Sequence, residues 1–429
     1  MAQSFNSIEK NIARVLSAFP GIKRIIKKIY TRTIYLSKKK NYSHLAISKL
    51  TEISNEDNES FFGYYDKHPD NGDGLILVHN SAVSTSVLPK NISHISLNIY
   101  SLKLKKFLLE DGIILRAFNW QQGARAHWLT KDTFVFNDYD NESDIYITKM
   151  YSLDLMSVIN EFPLPVQDSF KDDFYLSLSY KKLALLRPDY GYFSHGKQPD
   201  LSSDRENGIW KVSYKNKKQI QVVSIEDILN FHYIKSTDDY EHKVNHIMIS
   251  PDGNHFIFMH RYYSKSGRRY DRLILANSEG RLIKVLADNE MVSHCFWYDN
   301  STVLGYLRNP DGIDGYFLID VESAKYKVFN QNVLENQGDG HPSVNHDYII
   351  TDTYPDKSRM QSLFLTKKDC NKSICLGEFF HGFKFSGETR CDLHPRFSSC
   401  LNYVFFDSVF SGQRKLYCMD ISEAKKEFI

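Results

Sequence analysis

The sequence predicts an all-β protein: a seven-bladed β-propeller with an N-terminal basic amphipathic helical arm. Three observations carry this expectation. His246, His294, His341 and His394 each open a copy of the same unit, a short apolar run, a turn and a second apolar run. The copies recur about every 50 residues, which is the period of a propeller blade. Aromatic residues make up 14% of the chain, as suits pleated surfaces on which rings pack well.

The arm comes first, over residues 1–42, with the propeller expected over 43–429. Ile8, Ile12, Val15, Leu16 and Phe19 follow one helical stripe, and Ile22, Ile25, Ile26, Ile29 and Tyr30 a second. Pro20-Gly21 separates the two stripes, and Lys23, Arg24, Lys27 and Lys28 fill the opposite face. Residues 1–40 hold ten Lys or Arg and a single acid, Glu9. Such helices adsorb to anionic membrane surfaces; docking on a neighbouring domain is the alternative.

Residues 45–54 are expected to pair beside 415–420, because the last unit lacks an outer strand and an open ring would leave two bare edges. Seven units follow, starting near residues 64, 124, 174, 245, 293, 340 and 393. The clearest runs from Ser250-Pro-Asp-Gly253 through His255-Phe-Ile-Phe-Met-His260 to Leu273-Ile-Leu-Ala276, a hairpin pattern. Unit three is longer: after its second run, Arg187-Pro-Asp-Tyr-Gly-Tyr-Phe opens an insertion reaching Gly208. Long loops on regular scaffolds usually bind something.

Positions equivalent to the four histidines are Tyr65, Arg125 and Tyr175. The ring's pseudo-rotation should bring all seven to one axis. The ends of the second strands add His79, Asn137, Asp138, Arg187, His260, Arg261, Arg308, Asp352 and Asp407. One face should therefore carry a funnel of imidazoles, guanidiniums, phenols and carboxylates, the kind of concave titratable cluster that marks a site. For a single histidine a structural hydrogen bond is the plainer reading; repetition at one register speaks for shared function. His68, His127 and His346 fall off the register and read as packing or surface residues.

Composition excludes several classes. Outside the arm acids outnumber bases, unlike a nucleic-acid binder. No secretory leader or spanning segment is evident, and six cysteines without paired CxxC motifs read as reduced thiols. The expected location is the cytoplasm, peripheral to the inner membrane through the arm. No Gly-x-Ser-x-Gly elbow or Gly-rich nucleotide loop occurs, which disfavours propeller-linked peptidases and glycosyltransferases.

The Ser-Pro-Asp-Gly style of repeat resembles TolB-type propellers. The His294-Cys-Phe-Trp297, Asp339-Gly-His341 and Asp392-Leu-His394-Pro segments resemble the later blades of oligogalacturonate lyases. That resemblance implies a divalent metal, usually manganese, with His294, His341 and His394 as its ligands here. Asp392 stands where the family's motif places another His, and Arg390 is nearby where a glutamine is expected, so the full ligand set is not reproduced. The implied activity is β-elimination on a uronate-containing glycan. The bases would come from His246, His294, His341 and His394, with Tyr65 as acid. Arg125, Arg261, Arg308 and Arg390 would neutralise carboxylates, and Trp120 and Tyr175 would line the sugar site. A non-catalytic glycan-binding or assembly scaffold at a membrane face, also with an acidic glycan as partner, is the other open reading.

Overall fold

Short antiparallel strands, each breaking at an Asp, Asn or Gly turn, build seven sheets in the computed structural model. The model describes residues 20–55, 58–193, 208–232, 241–264, 269–329 and 337–428. Successive sheets follow one another along the chain, strand by strand from the inside out. The arrangement is a seven-bladed β-propeller. The inner strands are Glu59–Phe61, His127–Trp128, Asp168–Phe170, Glu241–Ile249, Val292–Trp297, Ser343–Val344 and Arg396–Phe397. Between blades lie apolar layers, such as Phe61, Leu77, Leu97, Phe134 and Phe136 on the side of blades one and two. Each such fully buried side chain contributes about 1.5–3 kcal/mol by leaving water.

Closure differs in part from expectation. Leu50–Ile53 does complete blade seven, with Leu50 opposite Met419 and Ile53 opposite Leu416. His44–Ala46 instead pairs with the outer strand of blade six, Leu45 facing Glu378. Ser48 donates to Asp420 O at 2.7 Å as the chain crosses from one blade to the next. One segment thus covers two sheet edges rather than one.

Unit three also departs from its expected register. Tyr175 lies on the second strand, Phe174–Ser177, and the inner strand precedes it at Asp168–Phe170. The apolar run after it is a helix, not a strand. Tyr180, Leu183 and Ala184 bury one face of Tyr180–Leu186, and Ser179 caps that helix by accepting from Lys182 N at 3.1 Å.

A helix covers Pro20–Lys38. Its Tyr35 packs edge-on against Phe383 at 5.3 Å, beside blade six, while Ile26, Ile29 and Leu36 face outward. The first predicted stripe, Ile8 to Phe19, lies outside the described residues. None of the described helices is long and apolar enough to cross a membrane.

A repeated hydrogen-bonding device locks neighbouring blades. His79, on the second strand of blade one, donates from Nδ1 to Phe62 O at 2.8 Å. Its Nε2 accepts from Ala124 N, entering blade two, at 3.1 Å. Asn137 of blade two accepts from Val166 N and donates to Val166 O at the entry to blade three. Asp352 of blade six accepts from His394 N, and Asp407 of blade seven accepts from Phe62 N and Gly63 N. The last of these closes the ring.

Candidate functional site: an imidazole cluster on the propeller axis

The backbone is irregular at three of the register positions. His246, His394 and Arg125 all take left-handed backbone conformations, with φ of 49°, 44° and 55°. Non-glycine residues pay roughly 1–3 kcal/mol for such geometry, and it concentrates at functional sites. Gly63 is required for a different reason. Its φ is +127°, and a Cβ there would come within 2.7 Å of the Gln122 backbone. Its carbonyl is left facing the axis.

On that axis the four register histidines meet. The ring centroids of His294 and His341 are 4.0 Å apart, those of His341 and His394 4.3 Å, and those of His246 and His294 6.2 Å. Tyr64 and Tyr65 enter from blade one. The Tyr64 hydroxyl lies 3.1 Å from His246 Nδ1, whereas Tyr65 donates to Cys295 O at 3.0 Å. The Tyr65 hydroxyl is thus already engaged.

His341 and His394 share one polarity. His341 donates from Nδ1 to Asp352 at 2.8 Å, and His394 donates from Nδ1 to Gly63 O at 3.0 Å. Both Nε2 atoms are buried with no hydrogen-bond partner, a condition that costs about 1–3 kcal/mol for each. Asp392 completes the group: ligand atoms of His341, Asp392 and His394 all lie within 4.8 Å of one another. Metal-binding histidines typically donate their other ring N–H to a carboxylate or a backbone carbonyl, as these two do. Two inward-facing imidazole nitrogens and a carboxylate fit a divalent cation. Of the expected ligands, His341 and His394 fall in this group with Asp392, and His294 lies beside it, its ring 4.0 Å from that of His341 and its Nδ1 3.3 Å from Asp339.

Burial sets the protonation states. It holds His246 and His394 well below the usual imidazole range, and neighbouring imidazoles and guanidiniums add to the effect. His294 is lowered by burial and by His341, with Asp339 opposing. For His341 burial also pulls downward, but the Asp352 carboxylate outweighs it and the net shift is upward. Burial would raise Asp392, yet the adjoining Arg390 keeps its carboxyl below the ordinary range.

Beside the cluster a cleft of about 140 Å³ opens, bounded by Arg187, Tyr190, Arg261, His246, His294 and Tyr354 among others. The start of the long insertion supplies part of this wall. Asp189 accepts from Arg187 and from Arg390, each at 2.7 Å, and Arg390 also holds Asp392 at 2.7 Å. Residues 194–207 of the insertion lie outside the described residues.

Of the other expected site residues, Arg261 lines the cleft and Arg390 braces Asp392. Arg308 sits off the cleft wall, half-exposed and paired with Asp314 and Glu290. Arg125 is buried in a two-pronged pair with Asp66 and also donates to Gln167 O. Trp120 is core, its indole donating to Val87 O at 2.8 Å. Tyr175 is fully buried, donating to Leu164 O at 2.7 Å and packing on Phe162 and Tyr214. None of these last three opens on the funnel. Sequence reasoning passed over Tyr64, Lys243 and Tyr354, and marked Asp189 and Tyr190 only as part of the long insertion. Tyr64 adjoins a register residue, and the others carry no repeat signal.

No protein-family model matches this chain, and no curated protein matches its sequence. Solved structures share the fold. An oligogalacturonate lyase from Vibrio parahaemolyticus is 13% identical with a TM-score of 0.54, over 89% of this chain and 97% of that one. An oligogalacturonate lyase in complex with manganese is 10% identical with a TM-score of 0.39, over 88% and 94%. The β-propeller domain of the Trilobed protease from Pyrococcus furiosus is 10% identical with a TM-score of 0.47, over 84% and 94%. At these identities the likeness concerns the fold: this chain is a seven-bladed propeller, similar in architecture to an oligogalacturonate lyase.

Proposed function

We propose that the axial cleft binds an acidic, uronate-containing saccharide and cleaves it by β-elimination. The observation that carries this reading is the pair of orphaned nitrogens, His341 Nε2 and His394 Nε2, beside Asp392 and next to a cleft walled by arginine. The fold likeness to an oligogalacturonate lyase supports the reaction class. His341, Asp392 and His394 would hold a divalent cation, which would supply positive charge for the sugar carboxylate as negative charge grows on it.

The remaining work falls to the chain's own groups. Arg261 and Arg187, both at the cleft, pair with the substrate's charge. His294, kept neutral and oriented by Asp339, takes the proton from C5, α to the carboxylate. The electrons of that C–H bond become the C4–C5 double bond as the C4–O bond breaks. Tyr354, whose ring lies 6.5 Å from that of His294 and 5.6 Å from that of His341, returns a proton to the departing oxygen. Incubation with uronate oligosaccharides, with and without Mn²⁺, should yield an unsaturated product that absorbs in the ultraviolet. Tight saccharide binding with no such absorbance would leave a glycan-binding scaffold. The outward-facing Ile26, Ile29 and Leu36 on a basic helix favour placing either activity at an anionic membrane surface.

A further inference from the structure

The described start of the unit-three insertion, residues 187–193, is fixed by packing. Gly191 lies so close to the helix Tyr180–Leu186 that a Cβ there would come within 2.0 Å of Ala184 N. Tyr192 stacks flat on Tyr180, ring centroids 4.0 Å apart, and its hydroxyl accepts from Asn137 Nδ2 at 3.0 Å. Tyr190 donates its backbone N–H to Arg187 O at 2.9 Å and meets the His246 ring edge-on at 5.0 Å. These contacts hold Asp189 against Arg390, 201 residues further along the chain.

Arg390 is the group through which this segment reaches the imidazole cluster. Its Nε makes the one described hydrogen bond to the Asp392 carboxylate, on Oδ2 at 2.7 Å. Its other two nitrogens turn to the insertion. Nη1 donates to Asp189 Oδ2 at 2.7 Å, and Nη2 to the Tyr190 hydroxyl at 3.3 Å. Burial would raise the Asp189 carboxyl, yet Arg390 and Arg187 bring it down to about 2, so it is a full negative charge at neutral pH. A free guanidinium grips a carboxylate with two parallel N–H groups. Here a single N–H reaches Asp392, and the charge of Arg390 is shared with a second carboxylate.

We propose that Asp189 and Tyr190 are positioning residues for the cation group: by drawing off two nitrogens of Arg390, they leave the Asp392 oxygens available to a divalent cation. The inference rests on the reading of His341, Asp392 and His394 as the cation's ligands. It makes the insertion of blade three a support of a site whose ligands enter blades six and seven. Without Asp189, Arg390 would bring Nη2 to the second Asp392 oxygen and set an unshared positive charge beside the cation. Both changes oppose binding. Partners that orient a metal's ligands are typically worth about 10–100-fold in affinity.

Calorimetric titration of the metal-stripped full-length protein with Mn²⁺ tests the role without reference to catalysis. Asp189→Asn should weaken binding at least about tenfold. Asp189→Asn combined with Arg390→Gln should bind more tightly than Asp189→Asn alone, because no guanidinium is then left to compete for Asp392. A merely structural Asp189 would not be rescued by a second loss at Arg390. If Asp189→Asn does not fold, Tyr190→Phe carries the test, with an expected weakening of about threefold, the scale of one modest hydrogen bond, and an unchanged melting temperature. Equal binding by the wild type and whichever single variant folds, or a double variant no better than Asp189→Asn, would overturn the positioning role and leave the cation reading standing. A wild type that binds no Mn²⁺ would overturn the cation reading, and this inference with it.

Discussion

The two halves of the ring use the same register for opposite ends. Around blades one to three the buried polar groups of the register and of the second-strand ends are answered by protein. Arg125 is held by Asp66 and Gln167, His79 uses both ring nitrogens on backbone, and Asn137 spans to Val166. Around blades four to seven His246 and His294 meet Tyr64 and Asp339, but His341 Nε2, His394 Nε2 and, outside the register, Lys243 Nζ are buried without hydrogen-bond partners. Under the proposed function, equal burial with unequal satisfaction separates polar groups that hold blades together from polar groups that take a ligand. Each unpartnered buried atom carries a folding cost that a bound ligand would offset.

Substitutions on the two sides should therefore fail in different ways. Arg125→Ala strands Asp66 in the interior and should cost about 3–5 kcal/mol of stability, read from denaturant unfolding. A loss below about 1 kcal/mol would blur the division. On the other side, His294→Ala should lower turnover at least about a hundredfold, the scale of a lost general base, with little change in melting temperature. If melting falls and ligand affinity survives, the axial histidines are ties like His79.

Acid should attack through buried neutral histidines whose ring nitrogens are both engaged, His79 of blade one and His381 at the end of blade six. Burial lowers both His79 and His381 to about 4. The unfolded chain, with imidazoles near 6.5, binds protons that the folded chain refuses. The stability these two provide is complete above pH 6.5 and is lost as pH falls toward 4, by up to about 1.4 kcal/mol per pH unit for each. His79→Gln, if it folds, should flatten that slope. A slope as steep as the wild type's would contradict the assignment. The smallest effect on the propeller should come from removing residues 1–40. Melting and turnover should hold, while adsorption to anionic vesicles, itself weakened by salt, should vanish. Equal vesicle binding by the truncated chain would remove the arm from that role.

The repeat and its axial histidines were legible because a propeller writes its pseudo-symmetry into sequence as a fixed period. What was illegible lacked periodicity or depended on burial. Tyr180, Leu183 and Ala184 pack as a helix where an apolar run suggested a strand, since short runs carry too little pattern to choose. Trp120 and Tyr175 bear polar tips that suggest ligand contact, but Val87 O and Leu164 O already take them. Asp392 was visible only as a departure from a family's ligand pattern, and its place beside His341 and His394 needed three dimensions. Lys243 sits in an ordinary strand sequence, and nothing but its missing partner marks it.

Under the proposed function the unpartnered His341 and His394 nitrogens hold a divalent cation. Titration of the metal-stripped full-length protein with Mn²⁺ tests it most directly. One site per chain is expected, weakened at least about tenfold by His394→Ala and unchanged by Lys243→Met. Absence of binding, or equal binding by wild type and His394→Ala, would contradict it.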